Sequence, residues 1–126
     1  MANILKDSKA LQNIMVTYRR YIHENAEVDT ELPLTKTYVM DKLKEMGYEP
    51  KEICKAGIVA IAGGKKTGKT FLLRADMDSL PIKEENDLPF KSKTNNMHAC
   101  GHDMHTAMLL GAAQLLKNLR MNLKAA

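Results

Sequence analysis

Within Met97–Thr106, the run Met-His-Ala-Cys-Gly-His-Asp-Met-His-Thr gathers three of the chain's four histidines, His98, His102 and His105, beside Cys100 and Asp103. Imidazole and thiolate are good donors for zinc and similar divalent metals. Gly101 separates Cys100 from His102, so a bent, non-helical backbone could bring both side chains to one ion. Asp103 stands where a carboxylate can hydrogen-bond a ligand or a neighbouring N–H, the usual outer-shell task. The competing reading is a polar helix entry in which Asp103 caps the N–H of His105 or Thr106. Cys-x-His supplies only two donors, whereas hydrolytic metal sites use three or more and a water.

Two other segments could carry chemistry. Arg74-Ala75-Asp76-Met77-Asp78 closes an apolar run with two carboxylates, and strand ends are where open α/β sheets place their ligands. Met77 lies between them, so an extended backbone points Asp76 and Asp78 to the same side. Gly63-Gly64-Lys65-Lys66-Thr67-Gly68-Lys69-Thr70 satisfies the phosphate-loop pattern G-x-x-x-x-G-K-[ST], the basis for an alternative as a nucleotide-binding module. That chemistry needs a helix after the loop, because its N-terminal N–H groups hold the phosphate. Pro81 follows too soon for a normal helix, and a Gly/Lys-rich hairpin turn fits better.

The elements that must position these residues show in the apolar spacing. Leu11, Ile14, Met15, Tyr18 and Ile22 recur at helical intervals from Ser8 to about Asn25, with Asp7 or Ser8 as the cap. A second helix begins near Pro33, carries Tyr38, Val39, Leu43 and Met46, and stops at Gly47. Tyr48–Ile53 is short and broken by Pro50. Gly57–Ala62 and Thr70–Asp78 read as strands joined by a turn, hence a hairpin. Ser79–Asn96, with Pro81 and Pro89, reads as a long loop. Thr106 to about Leu119 is apolar on most sides, as expected of a helix buried between layers. The order α-α-β-β-α points to an α/β layered architecture.

Bulk properties narrow the function classes. A chain of 126 residues fits one small domain, and 44% hydrophobic with 27% charged residues is ordinary for a globular protein. Nine methionines and no tryptophan imply a core of Leu, Ile, Val, Ala and Met. The net charge of +4 is dispersed, and neither Arg19-Arg20 nor Lys65-Lys66-Lys69 is interleaved with aromatics, so nucleic acid is not an expected partner. No apolar run approaches the ~18 residues of a membrane span, and no membrane partner is expected. Residues 1–10 lack a secretory pattern, and with only Cys54 and Cys100 a reducing cytoplasm is the expected setting.

Leu73–Pro81 followed by Met97–Ala113 closely resembles the M20 metallopeptidase family. The likeness is to its amidohydrolase branch of hippurate hydrolases, N-acyl-amino-acid amidohydrolases and auxin-conjugate hydrolases. Arg19-Arg20-Tyr21-Ile22-His23-Glu24-Asn25-Ala26-Glu27 resembles the branch's N-terminal helix end, with Ala26 where proline is usual. The resemblance implies a zinc-aminopeptidase-like three-layer α/β catalytic domain with two divalent metals (zinc, manganese, cobalt or nickel). It implies a small N-acylated amino acid as substrate. It makes Cys100 and His102 metal ligands. Relatives outside the branch carry H-x-D; here Arg74 replaces that histidine and Asp76 keeps the aspartate, which implies a supporting role near the metals. No ligand role carries over to His98, His105 or Asp78. Family members are several times longer and add a Glu-Glu pair, for which Glu84-Glu85 cannot stand in, then further histidines and a dimerising lid domain, so full-length relatives are expected to be homo-oligomers. Residues 1–126 are accordingly expected to be the N-terminal part of the catalytic domain, without the lid and inactive alone, and a non-catalytic metal-binding fragment stands beside the nucleotide-binding module as an alternative.

Overall fold

The computed structural model describes residues 3–63 and 68–125, with side chains up to Arg120. In chain order it contains α1 (Ile4–Ala10), α2 (Gln12–Glu24), α3 (Pro33–Glu45), β1 (Lys51–Ile53), β2 (Gly57–Val59) and α4 (His102–Ala125). The first expected helix is thus two. Asn3 caps α1 by accepting the Lys6 N–H at 3.0 Å, in place of Asp7 or Ser8, and the chain bends at Leu11 before α2 begins. Pro33 opens α3, where its fixed φ suits a first turn and its missing N–H has no helical partner to lose. Gly47 stops that helix at φ +85°, the left-handed position.

The hairpin lies one segment earlier than the sequence pattern suggests. β1 pairs antiparallel with β2 in the register Lys51↔Val59, Glu52↔Ile58, Ile53↔Gly57, turning through residues 54–56. Thr70–Asp78 forms no strand, although its apolar alternation favours one. A strand exists only where a neighbour takes up its N–H and C=O groups, and no described strand pairs with this segment. Phe71 and Leu72 are consequently 84% exposed.

The core sits where α2, α3 and α4 meet: Tyr18, Val39, Leu43, Met46, Tyr48, Ala107 and Leu110. Ile22 on α2 is fully buried, and burial of such a side chain contributes roughly 1.5–3 kcal/mol. α2 and α4 approach closely because Gly111 carries no side chain; a Cβ there would collide with Met15. From the middle of α4 onward, the Tyr48 hydroxyl donates to Ala113 O at 2.7 Å and Lys117 Nζ donates to Gly47 O at 2.7 Å, tying the helix to the end of α3. α4 starts at His102 rather than Thr106. It is not enclosed all round either: Met104, Met108 and Leu116 face outward.

The long loop between the hairpin and α4 is fixed by hydrogen bonds to backbone carbonyls at and just beyond the end of α2. Ser79 N and Oγ both donate to Glu27 O at 2.7 Å, Lys93 N donates to Glu24 O at 2.8 Å, and Thr94 Oγ1 donates to Ala26 O at 2.7 Å. Leu80 and Met97 exchange both of their backbone bonds at 3.0 Å and close the loop on itself. An 18-residue excursion without helix or strand is in this way held against α2.

Candidate functional site

The Cys-x-His segment forms the entry to α4. Gly101 has φ +87°, a conformation that costs other residues ~1 kcal/mol or more, and its carbonyl accepts the N–H groups of Met104 and His105 at 3.1 Å. That tight reversal places Cys100, an exposed free thiol, just before the helix and His102 on its first turn.

His102 meets the Asp76–Asp78 segment. Its Nδ1 donates to Asp78 Oδ1 at 2.9 Å and to Asp78 O at 3.0 Å, while Nε2 stands 3.9 Å from Asp76 Oδ2. With Nδ1 donating to Asp78, Nε2 makes no hydrogen bond among the described residues and stands beside the Asp76 carboxylate. The segment is anchored by Thr106 Oγ1, which donates to Asp76 O at 2.9 Å, and Asp76 is ion-paired with Arg74. Two carboxylates that an extended strand would aim alike thus diverge in use: Asp78 holds the ring, and Asp76 stays half-exposed.

Asp103 points elsewhere. It is fully buried; Oδ1 accepts the Met104 N–H at 2.9 Å, and Oδ2 accepts from His23 Nδ1 at 2.7 Å and from Arg19 Nε at 2.8 Å. The capped N–H is Met104's, not that of His105 or Thr106. On the other side of the imidazole, His23 Nε2 lies 3.0 and 3.1 Å from the two oxygens of Glu84. Glu84 is 1% exposed, and burial pushes its carboxyl upward. The Ser92 N–H, His23 and Asn86 outweigh that and hold it below the ordinary carboxylate range. Phe90 closes the cluster, edge-on to His23 at 5.7 Å and beneath the guanidinium groups of Arg19 and Arg20 at 4.9 and 4.7 Å.

His98 lies 6.4 Å from His23 between rings, 3% exposed, and neither ring nitrogen finds a partner among the described residues. Burial drives its imidazole down to about 4, against the pull of Asp103, so it is neutral at pH 7.

Sequence reasoning named Cys100, His102, Asp103 and Asp76, and the structure brings His102 and Asp76 together. It sends Asp103 to His23 and Arg19 instead of to Cys100 or His102. The sequence set Asp78 beside Asp76 without a ligand role for it, and gave His23 and Glu84 no role in the site. The signal for His23 was its place four residues after Arg19, on one face of α2; Glu84 had none, because its partner lies 61 residues away. Residues 64–67, the middle of the phosphate-loop pattern, lie outside the described residues. The helix that such a loop requires is missing: between β2 and His102 the described residues contain none.

The model of peptidase family M20/M25/M40 matches residues 72–125. Thermostable carboxypeptidase 2 of Saccharolobus solfataricus is 45% identical over 87% of this chain and 29% of its own length. Hippurate hydrolase of Campylobacter jejuni is 44% identical over 95% of this chain and 32% of its own. The chain therefore spans about a third of the length of these relatives. A crystal structure of a dinuclear metal-binding M20 peptidase from Bacillus subtilis superposes with a TM-score of 0.83 at 38% identity, over 89% of this chain and 32% of that one. The crystal structure of a protein described as a putative aminohydrolase, from methicillin-resistant Staphylococcus aureus, gives 0.86 at 35% identity, over 91% and 31%. The family model, the identities and the superposed backbones agree, and the chain belongs to peptidase family M20.

Proposed function

We propose that this chain contributes the first donors of a metal-dependent hydrolase acting on the amide bond of N-acylated amino acids. Cys100 and His102 hold a divalent metal, and Asp76 supports them. The observation that carries this reading is the Asp78–His102 hydrogen bond. A carboxylate or carbonyl accepting from one ring nitrogen, with the other left free, is the usual arrangement behind a metal-binding histidine. The donor chemistry fits: an exposed thiol, an imidazole with a fixed tautomer, and the unpartnered nitrogens of His98 two residues before Cys100. Among the described residues no group of three or more His, Cys, Asp or Glu side chains could hold a metal ion, so the pair is an open, incomplete set. The substrate class follows relatives named for it, such as the N-acyl-L-amino acid amidohydrolase of Geobacillus stearothermophilus, 39% identical over 87% of this chain.

When bound, a divalent metal supplies Lewis acidity to an amide carbonyl and to a water nucleophile. The chain's own residues do the positioning. Asp78 keeps the Nδ1 proton in place, Gly101 sets the turn that puts the thiol and the imidazole on the same short segment, and Arg74 steadies the Asp76 carboxylate. The lid, the dimer and the choice among zinc, manganese, cobalt and nickel belong to the same proposal.

Cobalt(II) titration of the purified chain tests it. A thiolate-to-cobalt absorption band should grow in, vanish in Cys100→Ser, and require at least ~10-fold more metal in His102→Ala. Hydrolysis of N-acetyl and N-benzoyl amino acids should stay at background, since two donors fall short of a catalytic set. A chain that shows no band, or one that both substitutions leave unchanged, would refute the donor assignment.

A further inference from the structure

Three ionisable side chains, Glu84, His23 and Asp103, form a continuous buried chain, each at most 2% exposed. A buried ionic cluster is a costly way to stabilise a fold, because desolvation offsets the attraction and well-packed apolar side chains of equal volume often serve better. What this cluster does achieve is geometric. Every oxygen of Asp103 is engaged, and Asp103 follows His102 directly in the chain. On the other side of His102, Asp78 is followed by Ser79, whose N–H and hydroxyl both bond to Glu27 O. Both neighbours that set the direction of the His102 ring are therefore anchored in the same stretch, residues 19–27 at the end of α2. Glu84 holds His23 from the loop that begins at Ser79, and is itself held by the Ser92 N–H at 2.6 Å.

We propose that His23 is a positioning residue for the Cys100–His102 pair: clamped between Glu84 and Asp103, it fixes the first turn of α4 so that His102 keeps Nδ1 on Asp78 and presents Nε2. This rests on the reading of Cys100 and His102 as the donors. His23 touches neither of them, and its influence passes through the Asp103 carboxylate and the backbone it pins.

Two readouts on the purified chain separate the proposal from that reading. The first is the ¹⁵N shifts of the His102 ring without metal, which report the tautomer; the second is cobalt(II) affinity. His23→Ala and Glu84→Gln are compared with Val39→Ala, a core truncation on α3 that lowers stability without touching the cluster. In the first two variants His102 should lose its fixed Nδ1–H tautomer, and cobalt affinity should fall at least ~10-fold, the scale of outer-shell substitutions at metal sites. Val39→Ala should leave both unchanged. If His23→Ala does not fold, Glu84→Gln, which keeps the side chain's shape and one acceptor oxygen, decides. An unchanged His102 tautomer in a folded variant overturns the proposal, and so does the same change in Val39→Ala, which would make the role merely structural. Absence of cobalt binding by the unsubstituted chain sinks the donor reading instead, and the tautomer still judges His23.

Discussion

Glu84 carries a titration that reports on the whole cluster. Burial alone would raise its carboxyl, but the Ser92 N–H, His23 and Asn86 outweigh that and hold it below the usual range. Facing it are His23 from α2 and, across that ring, Asp103 from α4, which in turn is paired with Arg19. A carboxyl with a depressed folded-state pKa contributes stability in full above its unfolded value of ~4.5, and the contribution is lost as pH falls through the folded value. Glu84→Gln should therefore unfold in less urea than the parent at pH 7, by about 1–3 kcal/mol, since the amide nitrogen cannot accept from Ser92 or His23. The gap should narrow as the pH drops below ~4. A gap of equal size at pH 7 and pH 3.5 would mean that the ionised form is not what the neighbours stabilise.

At the scale of elements, the contact between α2 and α4 depends on one missing side chain. Alanine at an exposed mid-helix glycine normally gains ~1 kcal/mol, but at Gly111 the new Cβ meets Met15. Gly111→Ala should lower the thermal midpoint instead of raising it. Combined with Met15→Ala, it should cost less than the two single losses added together, with a coupling of at least ~0.5 kcal/mol. Strict additivity would show that the helices simply slide apart. The helices were also the elements most legible in the sequence. Pro33 and Gly47 mark α3 within two residues, and the apolar run marks α4, although its polar first turn from His102 to His105 hid the true start. The hairpin was misplaced because Gly57–Ala62 can pair on either side, and local pattern does not say which neighbour wins. Thr70–Asp78 has the composition of a strand, but composition does not supply the partner that makes one. Of the site, the Cys-x-His turn was legible because its residues are close in sequence. The His23 clamp was not, since it joins residues 61 and 80 positions apart.

The molecule as a whole leaves an apolar edge uncovered. Ile61, Phe71, Leu72 and Leu73 are 83%, 84%, 84% and 57% exposed, and Met104 and Met108 face outward from α4. Apolar groups left open in this number favour association, as do unpaired extended segments. Sedimentation of the purified chain should show oligomers that increase with concentration, and Phe71→Ser with Leu72→Lys should shift it towards monomer without lowering its helix content. A parent chain that stays monomeric at all concentrations would show that the edge is tolerated.

The clamp also has a consequence in time. His23 cannot meet Asp103 until some eighty residues have been drawn into one closure, and the hydrogen bonds that the carbonyls of Glu24, Ala26 and Glu27 accept from the long loop bridge spans of the same order. Contacts so distant along the chain form after the entropy of closing the intervening loop has been met, which slows folding relative to a bundle of neighbouring helices. On a ribosome, α2 and α3 emerge well before the partners of Arg19 and His23 exist. A nascent chain halted before Glu84 would therefore carry the His23 imidazole and the Arg19 guanidinium without either carboxylate partner, and that interval is when a chaperone has most reason to hold it.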